Sequence, residues 1–331
     1  MSGVLLQSVD LKTHFGGRAR FLARRTPLVK AVDGVSLTLH DGEVLGLVGE
    51  SGCGKSTLAK TLLGLIRETS GTLTLDGKTV SGLAPQAARK ARSDIQYVHQ
   101  DPGAALDPWW RVGNTLEESL KIHGVTDRDE RRNRIDEVLT AVGLDPSFRR
   151  RYPHELSGGQ QRRIGLARTL ALRPRIVLLD EPTSGLDLSV QATVLKLMLE
   201  LRAAFNLTYI FISHDLSVVR RMCDRVAIMY LGRIVEQGAT ETLFSNPVHP
   251  YTKALLASAP TLKRDANSAP PLDDDPPSAA NVPSGCAFRT RCPIAEETCA
   301  QHLPTLTRSD QPDHLVACPP SLRRIETSLV E

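Results

Sequence analysis

The spacing of apolar and polar residues changes several times along this chain, and each change predicts a different element. Val35-Ser36-Leu37-Thr38-Leu39 alternates with the period of a half-buried strand. Glu43-Val44-Leu45-Gly46-Leu47-Val48 is a nearly continuous apolar run, the pattern of a strand buried on both faces. Residues 4–48 are therefore read as short strands. Past Lys55, the residues Leu58, Leu62, Leu63, Leu65 and Ile66 fall at helical spacing. From about Pro85 to Arg163 the pattern predicts charged helices, broken by proline-bearing loops at Gln100-Asp101-Pro102 and Asp107-Pro108-Trp109-Trp110. A strand at Ile176, a helix over Val190 to Phe205, a strand over Leu207 to Ile212, another helix and a strand over Val226 to Tyr230 then follow. This alternation predicts an α/β fold: a mostly parallel sheet covered on both faces, with a helical insertion.

Near Phe244 the character changes. Six prolines fall between Pro260 and Pro283, with Asp273-Asp274-Asp275 among them, which predicts an extended linker. A tail containing Cys286, Cys292, Cys299 and Cys318 comes after it. No internal repeat is found.

Composition narrows the class only a little. At 331 residues, 41% hydrophobic and 24% charged, the chain has the make-up of an ordinary globular protein of one large or two modest domains. Its formal charge of +4 is small for the length. Arg131-Arg132-Asn133-Arg134 sits among Asp127, Asp129, Glu130, Asp136 and Glu137 and is read as a solvated helix face, so no nucleic-acid partner is expected. No apolar run approaches the roughly 20 residues that span a bilayer, and Met1 to Asp10 lacks the features of a signal peptide. A soluble, cytosolic chain is expected, reaching any membrane through a partner.

Chemistry enters with Gly49-Glu50-Ser51-Gly52-Cys53-Gly54-Lys55-Ser56, a complete G-x-x-x-x-G-K-[ST] loop between a predicted strand and a predicted helix. Phosphates need many backbone N–H donors converging on one point. Gly49, Gly52 and Gly54 allow that turn, and the following helix, through Thr57, adds its positive N-terminus. Lys55 is expected to reach the β- and γ-phosphates and Ser56 to hold Mg²⁺. Asp180 ends an apolar strand, placed to hold Mg²⁺ through water, and Glu181 beside it is the candidate general base. His214 follows a second apolar strand, where its imidazole could bond the γ-phosphate, and Gln100 could contact both Mg²⁺ and the attacking water. Leu156-Ser157-Gly158-Gly159-Gln160 is a second glycine turn opening a helix. With one phosphate loop per chain, its anion site is read as gripping ATP held by another subunit; a simple helix cap is the plainer alternative.

This ordered set resembles the ATPase subunit of an ABC transporter, over residues 4 to about 240. Asn246-Pro247-Val248-His249-Pro250-Tyr251-Thr252-Lys253-Ala254-Leu255-Leu256 and Gly285-Cys286-Ala287-Phe288-Arg289-Thr290-Arg291-Cys292-Pro293 resemble the C-terminal signature of the oligopeptide/dipeptide importer subfamily. The resemblance implies an ABC-type nucleotide-binding domain over 1–245, with a RecA-like parallel-sheet core, an N-terminal antiparallel β subdomain and a helical signature subdomain at about 93–165. The HPYT segment and linker would occupy 246–285 and a small Cys-rich region 286–331. It also implies that Leu156 to Gln160 is the signature motif, Ser184-Gly185-Leu186-Asp187 the loop crossing a dimer interface, and His214 the switch histidine. Phe15 is the choice for stacking on adenine, with Phe21 as runner-up. Gln161-Arg162-Arg163 departs from the more frequent Arg-Gln-Arg but leaves the glycine turn intact.

The implied partners are a second ATPase subunit (sibling or self), two transmembrane permease subunits and an extracytoplasmic substrate-binding protein, with the chain peripheral on the cytoplasmic face of the membrane. Related importers for nickel, glutathione or oligosaccharides carry similar subunits, and a soluble ABC ATPase is the rival from another class. The tail cysteines follow C-x5-C-x6-C-x18-C and lack the close pairs usual for zinc. The resemblance implies a [4Fe–4S] cluster on Cys286, Cys292, Cys299 and Cys318; Zn²⁺, disulfides and free thiols are the alternatives. Cys53 and Cys223 are read as structural, and the tail is expected to take no part in hydrolysis.

Overall fold

The computed structural model describes residues 3–17, 27–99, 103, 106–258 and 275–328, so Gln100, Phe21 and most of the proline-rich linker lie outside the described residues. The chain divides into two compact units, residues 1–92 with 211–331, and residues 93–210. In chain order, the first unit begins with β1 (Val4–Phe15), β2 (Val29–His40), β3 (Val44–Val48), α1 (Lys55–Leu62), β4 (Ser70–Leu75), β5 (Lys78–Thr79) and α2 (Pro85–Ala91). The second unit holds β6 (Ile95–Val98), α3 (Val112–Ile122), α4 (Arg128–Ala141), α5 (Gly158–Leu170), β7 (Ile176–Asp180) and α6 (Leu188–Phe205); β8 (Thr208–Ile212) contains the division point. The chain then returns to the first unit with α7 (Leu216–Met222), β9 (Arg225–Tyr230), β10 (Arg233–Ala239), α8 (Thr240–Ser245), α9 (Pro250–Ala257), α10 (Thr298–Gln301), β11 (Thr307–Arg308), β12 (Leu315–Val316) and α11 (Pro319–Ser328).

In the first unit β2, β1, β4 and β5 form an antiparallel sheet in that order. The other strands follow a different logic. β3 is buried at all five positions, as its unbroken apolar run requires, and pairs parallel with β9 from Leu45↔Arg225 to Val48↔Ile228. β10 runs antiparallel to β9, and the tail adds β12 to the free edge of β10 and β11 to β12. The expected mostly parallel sheet is thus mixed. The tail closes an edge that would otherwise expose unpaired backbone.

In the second unit β6 pairs parallel with β7 from Ile95↔Ile176 to Val98↔Leu179. This corrects the reading of 85–163 as purely helical: a four-residue strand is too short to show a period against its charged surroundings. The helix after the phosphate loop also ends earlier than its apolar spacing suggested, at Leu62. Gly64 then turns in the left-handed region, and Leu65 is 63% exposed.

Arg131 is a further correction. It is buried rather than solvated, with its guanidinium on Glu117 at 3.0 Å and on the carbonyls of Val125 and Thr126. It therefore joins α3 to the start of α4, where Asp127 caps the helix by accepting the Glu130 N–H. Arg134 pairs with Glu130 one turn away, as a surface helix pair would.

Candidate functional site

Each unit carries its own share of the expected site residues. In the first, β3 delivers the chain into the phosphate loop, and backbone crowding shows why two of its glycines are needed. A Cβ on Gly49 would collide with the carbonyl oxygen of Met229, and one on Gly54 with that of Ala31. Gly54 caps α1 at φ 110°, a conformation that side-chain-bearing residues rarely adopt. Lys55 is the first residue of α1 and is buried; among the described residues its ammonium contacts the carbonyls of Gly49 at 2.7 Å and Glu50 at 2.9 Å, and the Cys53 sulfur at 3.7 Å. A buried cation held by carbonyls and a thiol is poised to take an anion. Ser51, Gly52 and Ser56 are exposed, while Thr57 is half-buried. Burial pushes the Cys53 thiol up, and its sulfur packs against Gly49, consistent with a structural role.

Phe15 stands at the end of β1, paired with Val29 and 41% exposed. His214 is exposed just beyond β8. Asp215 then caps α7, accepting the N–H groups of Ser217 and Val218.

In the second unit Asp180 ends β7 and accepts a hydrogen bond from the Tyr97 hydroxyl at 2.5 Å. Burial, followed by the neighbouring Asp180 carboxylate, pushes the Tyr97 phenol well above its ordinary range, so it stays a donor. Sequence reasoning passed over Tyr97; its only signal is its place on the four-residue strand that pairs with the strand leading to Asp180. Glu181 has φ 49°, the left-handed region, and immediately precedes Pro182. That conformation is costly for a side-chain-bearing residue and concentrates at functional positions. Glu181 is half-buried, and its carbonyl accepts the Ser184 N–H at 3.1 Å, which starts the turn through Gly185 and Leu186 to Asp187 at the head of α6.

Leu156 is buried and precedes a reciprocal cap. The Ser157 hydroxyl accepts the Gln160 N–H at 3.3 Å, while the Gln160 side chain accepts the Ser157 N–H at 3.0 Å. The capping reading is therefore realised within the chain. Among the described residues, nevertheless, nothing lies within 4 Å of a would-be Cβ on Gly158 or Gly159, so the first turn of α5 is open there. Gln161, at the departure from the usual motif, donates to the Pro153 carbonyl at 2.8 Å and steadies this turn from behind.

The tail meets the phosphate loop directly. Arg291 grips the Glu50 carboxylate with two parallel bonds of 2.9 and 3.0 Å, and the Glu50 N–H donates to the Tyr251 hydroxyl at 2.9 Å. Tyr251, Tyr230 and Phe288 form a buried aromatic cluster with centroids 4.7–5.4 Å apart. Behind it, the buried Glu236 accepts the N–H groups of Val248 and His249 and contacts His314 Nε2 at 2.7 Å. His249 caps α9 through Nδ1, which accepts the Tyr251 N–H at 3.1 Å, and burial lowers its pKa to about 4.

Cys286, Cys292, Cys299 and Cys318 line one cavity of about 330 Å³, and no disulfide joins any of the six cysteines. Burial raises the thiols of Cys286 and Cys318 and pushes Cys292 up to about 11. Among the described residues no three His, Cys, Asp or Glu side chains are grouped closely enough to hold a metal ion. Neither a zinc ion, whose four sulfurs sit about 2.3 Å from one point, nor an iron–sulfur cluster meets a ready-made set of ligands in that arrangement. Four thiols lining one cavity are, by donor type, a set that either group uses.

Comparison with known proteins agrees with these features. Residues 32–184 match the ABC transporter family model, and residues 235–299 match that of the oligopeptide/dipeptide transporter C-terminal region. The chain is 46% identical over 318 residues to the oligopeptide transport ATP-binding protein AppF of Bacillus subtilis, covering 95% of this chain and 96% of the relative. It is equally 46% identical to OppF of Escherichia coli over 322 residues, with the same coverage. Among solved structures, cbiO1 from Clostridium perfringens, part of an ABC transporter complex, superposes with a TM-score of 0.63 at 28% identity, covering 73% of this chain and 91% of that one. The ATP-binding cassette MJ0796, solved as a dimer bound to ADP and Pi, gives 0.61 at 27% identity, covering 71% and 99%. This chain therefore belongs to the ATP-hydrolysing subunits of ABC transporters, within the oligopeptide/dipeptide transporter family.

Proposed function

We propose that this chain powers the import of di- or oligopeptides across the cytoplasmic membrane by binding and hydrolysing MgATP at a site shared between two such subunits. The observation that carries the reading is the buried Lys55 ammonium, held by two carbonyls and the Cys53 sulfur at the head of α1 inside a glycine-shaped loop. In this mechanism Lys55 leaves those carbonyls for the β- and γ-phosphates, and Gly49 to Thr57 cradle the phosphate chain with backbone N–H groups. Ser56, Gln100 and, through water, Asp180 would hold Mg²⁺, which would neutralise developing charge on the phosphates. Glu181 takes the proton of the attacking water, His214 bonds the γ-phosphate and Phe15 stacks on adenine. Tyr97 fixes which way the Asp180 carboxylate points.

Leu156 to Gln160 would act on the ATP of the second subunit, since Gly158 and Gly159 leave the first turn of α5 open, and Ser184 to Asp187 would line the contact between subunits. The domain limits follow the same reading, with the ATPase at 1–245, its helical part at about 93–165, the HPYT segment and linker at 246–285, and the Cys-rich region at 286–331. No helix among the described residues is long and apolar enough to cross a membrane, so attachment would come through two permease subunits that receive peptides from an extracytoplasmic binding protein. Trp109 and Trp110, 86% and 40% exposed, are the surface we assign to the permease contact. The tail thiols of Cys286, Cys292, Cys299 and Cys318 would hold a [4Fe–4S] cluster in the cavity they share.

The shared site is tested by Ser157→Arg. Nucleotide affinity of the isolated subunit should stay within about twofold while turnover is lost. A collapse of monomer affinity would mean that the turn serves its own chain.

A further inference from the structure

We propose that Arg291 is a positioning residue for ATP: through Glu50 it sets the shape and charge of the phosphate loop, making the Cys-rich tail part of the nucleotide site. The inference rests on the ATP-binding role proposed above and assigns the tail a task in it.

The geometry makes Glu50 the junction. Its carboxylate is held by both arms of Arg291, its N–H by the Tyr251 hydroxyl, and its carbonyl by the Lys55 ammonium at 2.9 Å. Three different segments thus fix one loop residue at three points, and two of them come from beyond residue 245. The two-bond fork is the strong and directional form of such a pair. Arg291 is nearly buried, its side chain 6% exposed against 21% for Glu50, so water screens the pair poorly. Its guanidinium also donates to the Tyr230 hydroxyl at 3.4 Å and lies 6.0 Å from the Phe288 ring centroid, which fixes where the fork points. Tyr230 directly follows Met229, whose carbonyl limits Gly49. Arg291 itself stands one residue before Cys292.

Charge gives this arrangement its consequence. Glu50 is an acid inside a loop built to receive a triphosphate. Unpaired, its carboxylate would repel the ligand and compete for Lys55; paired with Arg291, it is neutralised and held to the side. Removing Arg291 should therefore weaken ATP binding more than it slows the chemical step, and removing the Glu50 charge as well should restore much of that binding.

The test is a double-mutant cycle on the full chain, reading ATP affinity by equilibrium binding alongside KM and kcat. Arg291→Gln should raise Kd and KM for ATP about tenfold with kcat changed less than threefold, as expected for a lost charge-assisted pair. Glu50→Gln, which removes the charge and keeps the loop's backbone groups, sets the reference level of the cycle, and the double variant should return from the Arg291→Gln level to that reference. Arg291→Lys, which keeps the charge without the fork, should fall between wild type and Arg291→Gln. The proposal is overturned if Arg291→Gln leaves Kd and KM unchanged, or if the double variant is as weak as Arg291→Gln alone, because a merely structural role for the tail would not be rescued by a charge change at Glu50. Should Arg291→Gln fail to fold, Glu50→Arg alone and combined with Arg291→Glu decide between the same outcomes: the swapped pair should recover about tenfold of the affinity lost in Glu50→Arg, and no recovery would overturn the proposal. Absence of ATP binding in wild type, or its persistence in Lys55→Ala, would instead refute the ATP-binding role itself.

Discussion

Lowering the pH should destabilise this protein through His249 before most of its carboxylates titrate. His249 is 1% exposed, uses Nδ1 as an acceptor for the Tyr251 N–H, and has a folded-state pKa of about 4 against 6.5 for a free imidazole. The unfolded chain therefore binds a proton below pH 6.5 that the folded chain refuses until about pH 4. With more protons bound to the unfolded state, stability falls as pH falls through that window, at about 1.4 kcal/mol per unit. Over the whole window the loss is about 3 kcal/mol, a large share of the roughly 5–15 kcal/mol that holds a typical domain together. The mechanism is local: protonated Nδ1 can no longer accept the Tyr251 N–H, so the start of α9 loosens, and α9 carries the hydroxyl that holds the Glu50 N–H. The assay is denaturant unfolding followed by circular dichroism between pH 7.5 and 4, comparing wild type with His249→Asn, which keeps a capping acceptor but does not titrate. Taking the difference between the two proteins cancels the carboxylates they share. Wild type should lose about 3 kcal/mol more than the variant between pH 6.5 and 4. Parallel pH profiles would refute the assignment of a neutral, hydrogen-bond-accepting His249.

Two further outcomes follow from the same geometry. Gly54→Ala should cost about 1–2 kcal/mol for the left-handed backbone and about 1–3 kcal/mol for the clash with the Ala31 carbonyl, and should abolish ATP binding; binding within threefold of wild type would contradict the crowding described for the loop. Protein purified without oxygen should be brown, absorb broadly near roughly 400 nm, and lose the colour in Cys292→Ser, whereas a colourless preparation holding stoichiometric zinc, or no metal, would remove the cluster from the account.

What the sequence revealed, and what it concealed, divides along physical lines. The phosphate loop was legible because its residues answer local backbone demands: Gly54 is required by its φ and by the Ala31 carbonyl, and Lys55 follows at a fixed spacing. β3 and β8 were legible because strands buried on both faces read as nearly continuous apolar runs. β6 was missed, and Tyr97 with it, since four residues give no period. Arg131 was misread because a run of arginines looks solvated until its individual partners are known, and Glu117 lies on a different helix. The Arg291–Glu50 pair joins residues 241 positions apart, and only the folded chain brings them together. The tail looked like an appendage for the same reason. Its strands and its aromatic contacts belong to the unit that carries the phosphate loop.

The most direct test of the central claim, that this chain hydrolyses ATP with Glu181 as the base in a site closed by a second subunit, is size-exclusion chromatography with light scattering on Glu181→Gln in the presence of MgATP, with hydrolysis measured on the same sample. Loss of a positioned base should cut turnover by about 10²–10⁴ while ATP stays bound. The variant should then run as an ATP-dependent dimer that reverts to monomer when nucleotide is removed. Hydrolysis within twofold of wild type, together with no ATP-dependent change in mass, would contradict it.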